Sequence, residues 1–261
     1  YFHCLNLKYI LAWGKTWRID GMNSFLLRRL APFFVAAVAI EFLTFWLLLL
    51  AEREYVDWAF MPMIKTVGVL LKTTSISFLY MMLPYVIYLL ILPAKYVNSK
   101  FDHFIASANF SIFVFLNLFE ETMSLVFWEK FSAAFNFIAV QYLIDMREIA
   151  DDISQSYLFI AYIAALIIIT FLIVRRTEKF LLTSTPYPHW FKRTFYTAIY
   201  VLCCALIYVN ADEQELRIDE NQINNELSKD GTYALVRSLW KSDLTYQDFI
   251  AKNKNILNST N

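Results

Sequence analysis

The chain has 261 residues, 59% of them apolar and 18% aromatic, with 18% charged and a formal net charge of +0 at pH 7. That content is too apolar for a soluble domain of ordinary make-up, and the Lys and Arg residues fall in short clusters beside apolar runs, which argues against a nucleic-acid surface. Four glycines, three cysteines and three scattered histidines leave no phosphate-cradling glycine loop, no disulfide framework and no metal-ligand spacing.

Residues 1–30 read as a cytoplasmic N-terminal segment. Met22-Asn23-Ser24-Phe25-Leu26-Leu27-Arg28-Arg29 has the character of a bacterial membrane-protein start, so Tyr1 to Gly21 reads either as upstream sequence or as a short cytoplasmic stretch. From Ala31 to Ala51 runs the first apolar stretch, long enough to cross a hydrocarbon core of ~30 Å at ~1.5 Å per residue. Arg28 and Arg29 before it and Glu52, Glu54 and Asp57 after it orient it from inside to outside. Glu41 falls near its middle, where a carboxylate costs roughly 2.5–3.5 kcal/mol on insertion scales. It is expected to face other helices, carry a proton or bond a hydroxyl, in either a structural or a lipid-handling role.

Trp58 to Lys72 is apolar but interrupted by Pro62 and Gly68 and carries Lys65 and Lys72, a pattern that predicts an interfacial helix on the outer face. Ile76 to Ala94, with Pro84 inside it, crosses back and ends at Lys95 and Lys100. The third span begins near Phe104 and ends between Phe119 and Phe127. Asn117, Glu120, Glu121 and Ser124 lie at i, i+3, i+4 and i+7 and therefore share one helical face. Such a stripe cannot face lipid tails without a large desolvation cost, so it lines either a wet groove or an interhelical contact.

Trp128 to Tyr157 carries Glu129, Asp145, Glu148, Asp151 and Asp152 against Lys130 and Arg147, and an acidic loop belongs away from the cytoplasm. Its carboxylates read as a solvated helix face, with weak cation binding as the alternative. The fourth span, Tyr157 to Val174, is closed by Arg175, Arg176 and Lys179, and the basic loop to Arg193 is a cytoplasmic marker. The fifth, Thr194 to Val209, contains Cys203 and Cys204 as small packing residues and leads out to Asp212, Glu213 and Glu215. Over residues 211–261 the composition turns soluble. Ile223 and Leu227, then Leu235 and Leu239 beyond a break at Gly231, predict two short amphipathic helices. The expected fold is all-α: a polytopic membrane protein with five transmembrane helices over residues 31–210, interfacial helices and a short extracytoplasmic helical tail.

Within the acidic loop, Phe135-Asn136-Phe137-Ile138-Ala139-Val140, then Tyr142-Leu143 and Glu148-Ile149, resembles a signature of the lipoteichoic acid synthase and phosphoglycerol transferase family. Gln141 stands where that family usually has Asp, and Thr73-Thr74-Ser75-Ile76-Ser77 stands where it usually has a basic-Phe-Asp-Leu-Ser motif. Asn225-Glu226-Leu227-Ser228-Lys229-Asp230-Gly231-Thr232-Tyr233 and Asp243-Leu244-Thr245-Tyr246-Gln247-Asp248-Phe249 resemble the family's linker between membrane region and catalytic domain.

The resemblance implies a membrane region that precedes an extracytoplasmic sulfatase-like domain. There a Thr nucleophile and a divalent metal (Mn or Mg) would move a phosphoglycerol headgroup from a phospholipid to an envelope glycan or lipid. This chain encodes none of that core, so no catalytic, cofactor or metal residue is expected in it. The expected role is a membrane anchor in a bacterial cytoplasmic (inner) membrane, with membrane phospholipid and its own catalytic domain as partners. The candidate lipid- or groove-lining residues are Glu41, Asn117, Glu120, Glu121, Asn136 and Glu148. Phe135 to Tyr142 is expected to form a membrane-surface element, with Asn136 bonded to backbone or to the face of Asn117, Glu120 and Glu121. The alternative is a non-enzymatic lipid- or protein-binding module with a regulatory role. No internal repeat or pair of broken helices points to a transporter.

Overall fold

The computed structural model describes residues 23–131, 157–181, 189–210, 220–234 and 236. Within them every regular element is helical: α1 (Asn23–Ala51), α2 (Phe60–Met81), α3 (Leu83–Ile91), a 3-10 turn (Ala94–Tyr96), α4 (Lys100–Phe131), α5 (Tyr157–Leu181), α6 (Trp190–Asn210) and the short α7 (Gln222–Leu227). Residues 231–234 add one further helical turn. Helices α1, α4, α5 and α6 are long and apolar enough to cross a membrane. The count rises to five if α2 and α3 form one span, bent by 44°.

Helix α1 is the centre, packed against α2, α4, α5 and α7, while α6 lies on α2 and α3. Burial follows that order: 44% of the most apolar window of α1 is enclosed, 33% of that of α4, and 11% for α5 and α6. The faces left over, such as Ile160, Ile167, Ile168 and Phe171 on α5, are exposed and apolar, as a lipid-facing surface requires.

The core is aromatic. Phe33 sits with Tyr85 at 4.9 Å, and edge-on to Phe110 at 5.0 Å, all three essentially without exposure.

Contacts at the two ends fix the helix directions. At one end, Phe25, Leu26, Leu89, Leu90, Arg193 and Tyr196 line one small cleft, gathering the start of α1, the end of α3 and the start of α6. His103 near the start of α4 and Glu178 near the end of α5 approach to 3.6 Å at this end too. At the other, Trp128 Nε1 donates to Glu52 Oε1 at 2.9 Å, joining the ends of α1 and α4. Helices α1, α4 and α6 thus run one way, and α2–α3 and α5 the other.

Several boundaries differ from expectation. Helix α1 starts at Asn23 rather than Ala31, α4 covers Lys100–Phe131, and α5 continues through Arg175, Arg176 and Lys179 to Leu181. The expected break around Pro62, Gly68 and Lys72 does not occur; α2 is continuous from Phe60 to Met81. Pro62 lies in the first turn, where its missing N–H has no intrahelical partner to lose. A glycine inside a helix costs only about 1 kcal/mol, and α2 buries Thr66, Leu70, Thr73, Thr74, Ile76, Ser77 and Phe78 along one face. The interruption falls instead at Met82, because Pro84 is accepted only in the first turn of a new helix, α3.

At the far end of α3 the freed carbonyls are satisfied from α6. Arg193 Nη1 donates to Leu90 O and Leu92 O, both at 2.8 Å, which places a cation at a helix C-terminus.

The tail also departs from the expected pattern. Its break covers Ser228–Asp230, not Gly231, which opens the next turn. Ile223 and Leu227 pack against Phe45, Leu49, Val56, Leu70 and Trp128, as the apolar face of an amphipathic helix should.

Candidate functional site

Helix α2 carries a row of buried hydroxyls, Thr66, Thr73, Thr74 and Ser77, at spacings that keep them on one face. Against this row lies the stretch that follows α6, residues 220–234. Asn221 caps α7 by accepting from Asn224 N at 3.1 Å, and its amide donates to Tyr55 O at 2.9 Å. Asn224, fully buried, pairs with the backbone of Asp57: Oδ1 accepts from Asp57 N and Nδ2 donates to Asp57 O, each at 3.0 Å.

One turn further, Thr73 Oγ1 accepts from Asp230 N at 3.1 Å and donates to Ser228 O at 3.2 Å. Ser77 donates to Asp230 Oδ1, which also accepts from Tyr233 N at 2.7 Å. The contacts step from Thr66 to Ser77, eleven residues or roughly 16 Å along α2. The segment therefore descends between helices rather than leading away from them.

Its lower end meets the acidic faces of α1 and α4. Here Glu41 faces Glu121 and Asp230, with Thr44 beside Glu121 and Thr232 beside Glu120. Glu41, Glu121 and Asp230 are each at most 6% exposed. Gly231 is packed so closely on Glu120 that a β-carbon there would collide with Glu120 Oε1 and lie 3.3 Å from Ser124 Oγ. A small cleft beside this contact is lined by Glu41, Thr44, Glu121, Ser124, Glu226 and Lys229, among others. Burial raises the Asp230 carboxyl above the usual carboxylate range, and bonds from Ser77 and Tyr233 N offset part of that rise.

Of the residues singled out from sequence, Glu41, Glu120 and Glu121 come together. Asn117 does not join them: its amide donates to Phe113 O of its own helix at 2.8 Å and lies 3.9 Å from Met81 Sδ. Asn136, Glu148 and the expected membrane-surface element Phe135 to Tyr142 lie outside the described residues. Sequence reasoning missed Asp230, Asn224, Thr73 and Ser77. The signal for the hydroxyls was a Thr/Ser row at helical spacing in an apolar run; Asp230 had none, standing in a stretch of soluble composition.

A second charged site was missed as well. Arg29, at the start of α1, and Asp102, in the first turn of α4, are both fully buried and pair at 2.5 Å. Asn98 N and Tyr88 OH donate to the same carboxylate at 2.8 and 3.1 Å.

Among the described residues no group of three His, Cys, Asp or Glu side chains is placed to hold a metal ion. They do not fit the Mn or Mg site that the family resemblance implies for a catalytic domain. Comparisons with family models, curated proteins and solved structures find no match.

Proposed function

We propose that this chain is the membrane-anchor module of a phosphoglycerol-transferase-like enzyme, similar to the lipoteichoic acid synthases. The observation that carries the reading is the docked segment 220–234, whose buried Asn224, Ser228 and Asp230 fasten it to α2. A chain that continues from such a segment leaves the membrane at a fixed place and angle. A flexible linker would let an attached domain wander, whereas a docked one holds it over the leaflet that supplies its phospholipid donor. The same segment carries the Asn225 to Tyr233 stretch on which part of the resemblance rests.

In this reading α2–α3 form one bent span, making five, and the N-terminus faces the cytoplasm of a bacterial cell. The chain contributes position, and the chemistry belongs to a sulfatase-like domain with its own metal.

The test compares the 261-residue chain with a fusion that places a sulfatase-like phosphoglycerol transferase domain after Asn261, both in phosphatidylglycerol vesicles with manganese. The fusion releases glycerol phosphate and slows when Asn224→Ala loosens the segment; the chain alone releases none. Turnover by the chain alone that vanishes in Glu41→Gln or Glu121→Gln would overturn the reading. A regulatory, non-enzymatic module is the second reading, favoured by Thr73, whose hydroxyl serves docking where the family usually has a basic residue, and by Ser75 and Gln141 where it usually has Asp.

A further inference from the structure

The docked segment brings Asp230 against Glu41 and Glu121, and each of the three carboxyl groups is at most 6% exposed. Like charges this close in a buried site cannot all ionise, since each would lose its water and face the others. Protons on the cluster remove both costs.

Beside the three carboxyl groups Glu120 shows a separate feature. The residue as a whole is only partly buried, but its Oε1 is enclosed, has no hydrogen-bond partner and is pressed against Gly231. An enclosed carboxyl oxygen facing no donor is a place where a proton belongs and an ionic charge does not.

The surroundings offer little else to neutralise the group. Helix α1 presents Glu41 and Thr44, α2 presents Thr73 and Ser77, and α4 presents Glu120, Glu121 and Ser124. The segment itself brings Glu226, Lys229, Asp230 and Thr232. The cation in that set, Lys229, stands 2.6 Å from Glu226 at the rim.

We propose that this cluster is a proton-binding latch: protons on Glu41, Glu120, Glu121 and Asp230 hold residues 220–234 between the helices, and their loss releases the segment. Release would place several carboxylates in water in exchange for the buried, protonated arrangement, and it would free the chain that continues beyond. The sign follows from Asp230, whose carboxyl is raised by burial in the docked state. A group raised on docking binds its proton more tightly docked than free. Docking is therefore strongest in acid and weakens as pH climbs through the docked-state value. The inference does not depend on the anchor reading, since it concerns only this chain's own contacts.

The test is amide hydrogen exchange over residues 222–234 in the full chain in lipid nanodiscs, corrected for the intrinsic pH dependence of exchange. As pH rises through the docked-state value, protection should fall by up to about tenfold per pH unit for each proton linked to docking. The Glu41→Gln, Glu121→Gln double variant keeps hydrogen-bond donors without a titrating charge, so its protection should vary less with pH. Should it fail to assemble, Glu121→Gln alone with a shallower slope makes the same comparison. Protection in the unaltered chain that does not change with pH, or a variant that keeps the full slope, would overturn the latch.

Discussion

Arg29 and Asp102 are both fully buried, and neither can be removed without leaving the other as a charge in an apolar site. Asp102→Ala should therefore cost about 3–5 kcal/mol, the usual penalty for breaking a buried pair. It would be read as a lower unfolding temperature in detergent, and Arg29→Met with Asp102→Leu together should recover much of the loss. Asn224→Ala removes two bonds to the Asp57 backbone and should cost about 1–3 kcal/mol. Faster exchange confined to the segment and its contact on Asp57 would be the signature. At this scale the sequence was legible where a charge stood deep in an apolar run. Glu41 and Glu121 had to find polar surroundings, and they meet each other and Asp230. Arg29 was not legible as a buried residue, because at the mouth of a span it has the pattern of an ordinary flanking charge. Asn224 was invisible because its partner is backbone, which no side-chain pattern announces.

Between residue and bundle, the informative elements are α2 and the docked segment. Periodicity and charge located the apolar runs, but the competition between Gly68 and Pro84 as breakers was decided by packing. Gly68 has open space around it and a buried face opposite, so the helix passes through. Pro84 removes an N–H and ends α2 wherever the fold can begin α3. The docking was not legible, because residues 220–234 have soluble composition and bury their polar groups only through bonds to another element. Gly231 makes the dependence testable. A β-carbon there meets Glu120 Oε1 and approaches Ser124 Oγ to 3.3 Å, so Gly231→Ala must displace the Glu120 carboxyl from its packing on the turn. Protection over residues 222–234 should fall at acid and neutral pH alike, unlike the pH-dependent loss in the unaltered chain. Unchanged protection in Gly231→Ala would mean that Glu120 swings aside freely and that its packing on Gly231 does not hold the segment.

For the whole molecule, helix directions and loop charge are independent observations, and they agree. Arg29, Asp102, Arg193 and Glu178 mark one end by their contacts, and the same end carries Lys95, Lys100, Arg175, Arg176 and Lys179 in sequence. The opposite end, marked by the bond from Trp128 to Glu52 and by the pairing of Asn224 with Asp57, carries Glu54, Glu129 and Glu220. Basic loops are retained on the cytoplasmic side because Lys and Arg resist translocation, while acidic residues matter little. Antiparallel order along α1, α2–α3, α4, α5 and α6 gives an odd number of crossings only if the bent pair spans the membrane once. A re-entrant α2–α3 would make it four and return the region after α6 to the side of residue 23. Reporter fusions after Arg176 and after Asp212 separate these cases. The first should score cytoplasmic and the second extracytoplasmic, with the docked segment then entering from outside. Both scores reversed would mean that α2–α3 does not cross and would leave the carboxyl cluster open to a different compartment from the one proposed, whereas the same side for both would mean that α6 does not cross.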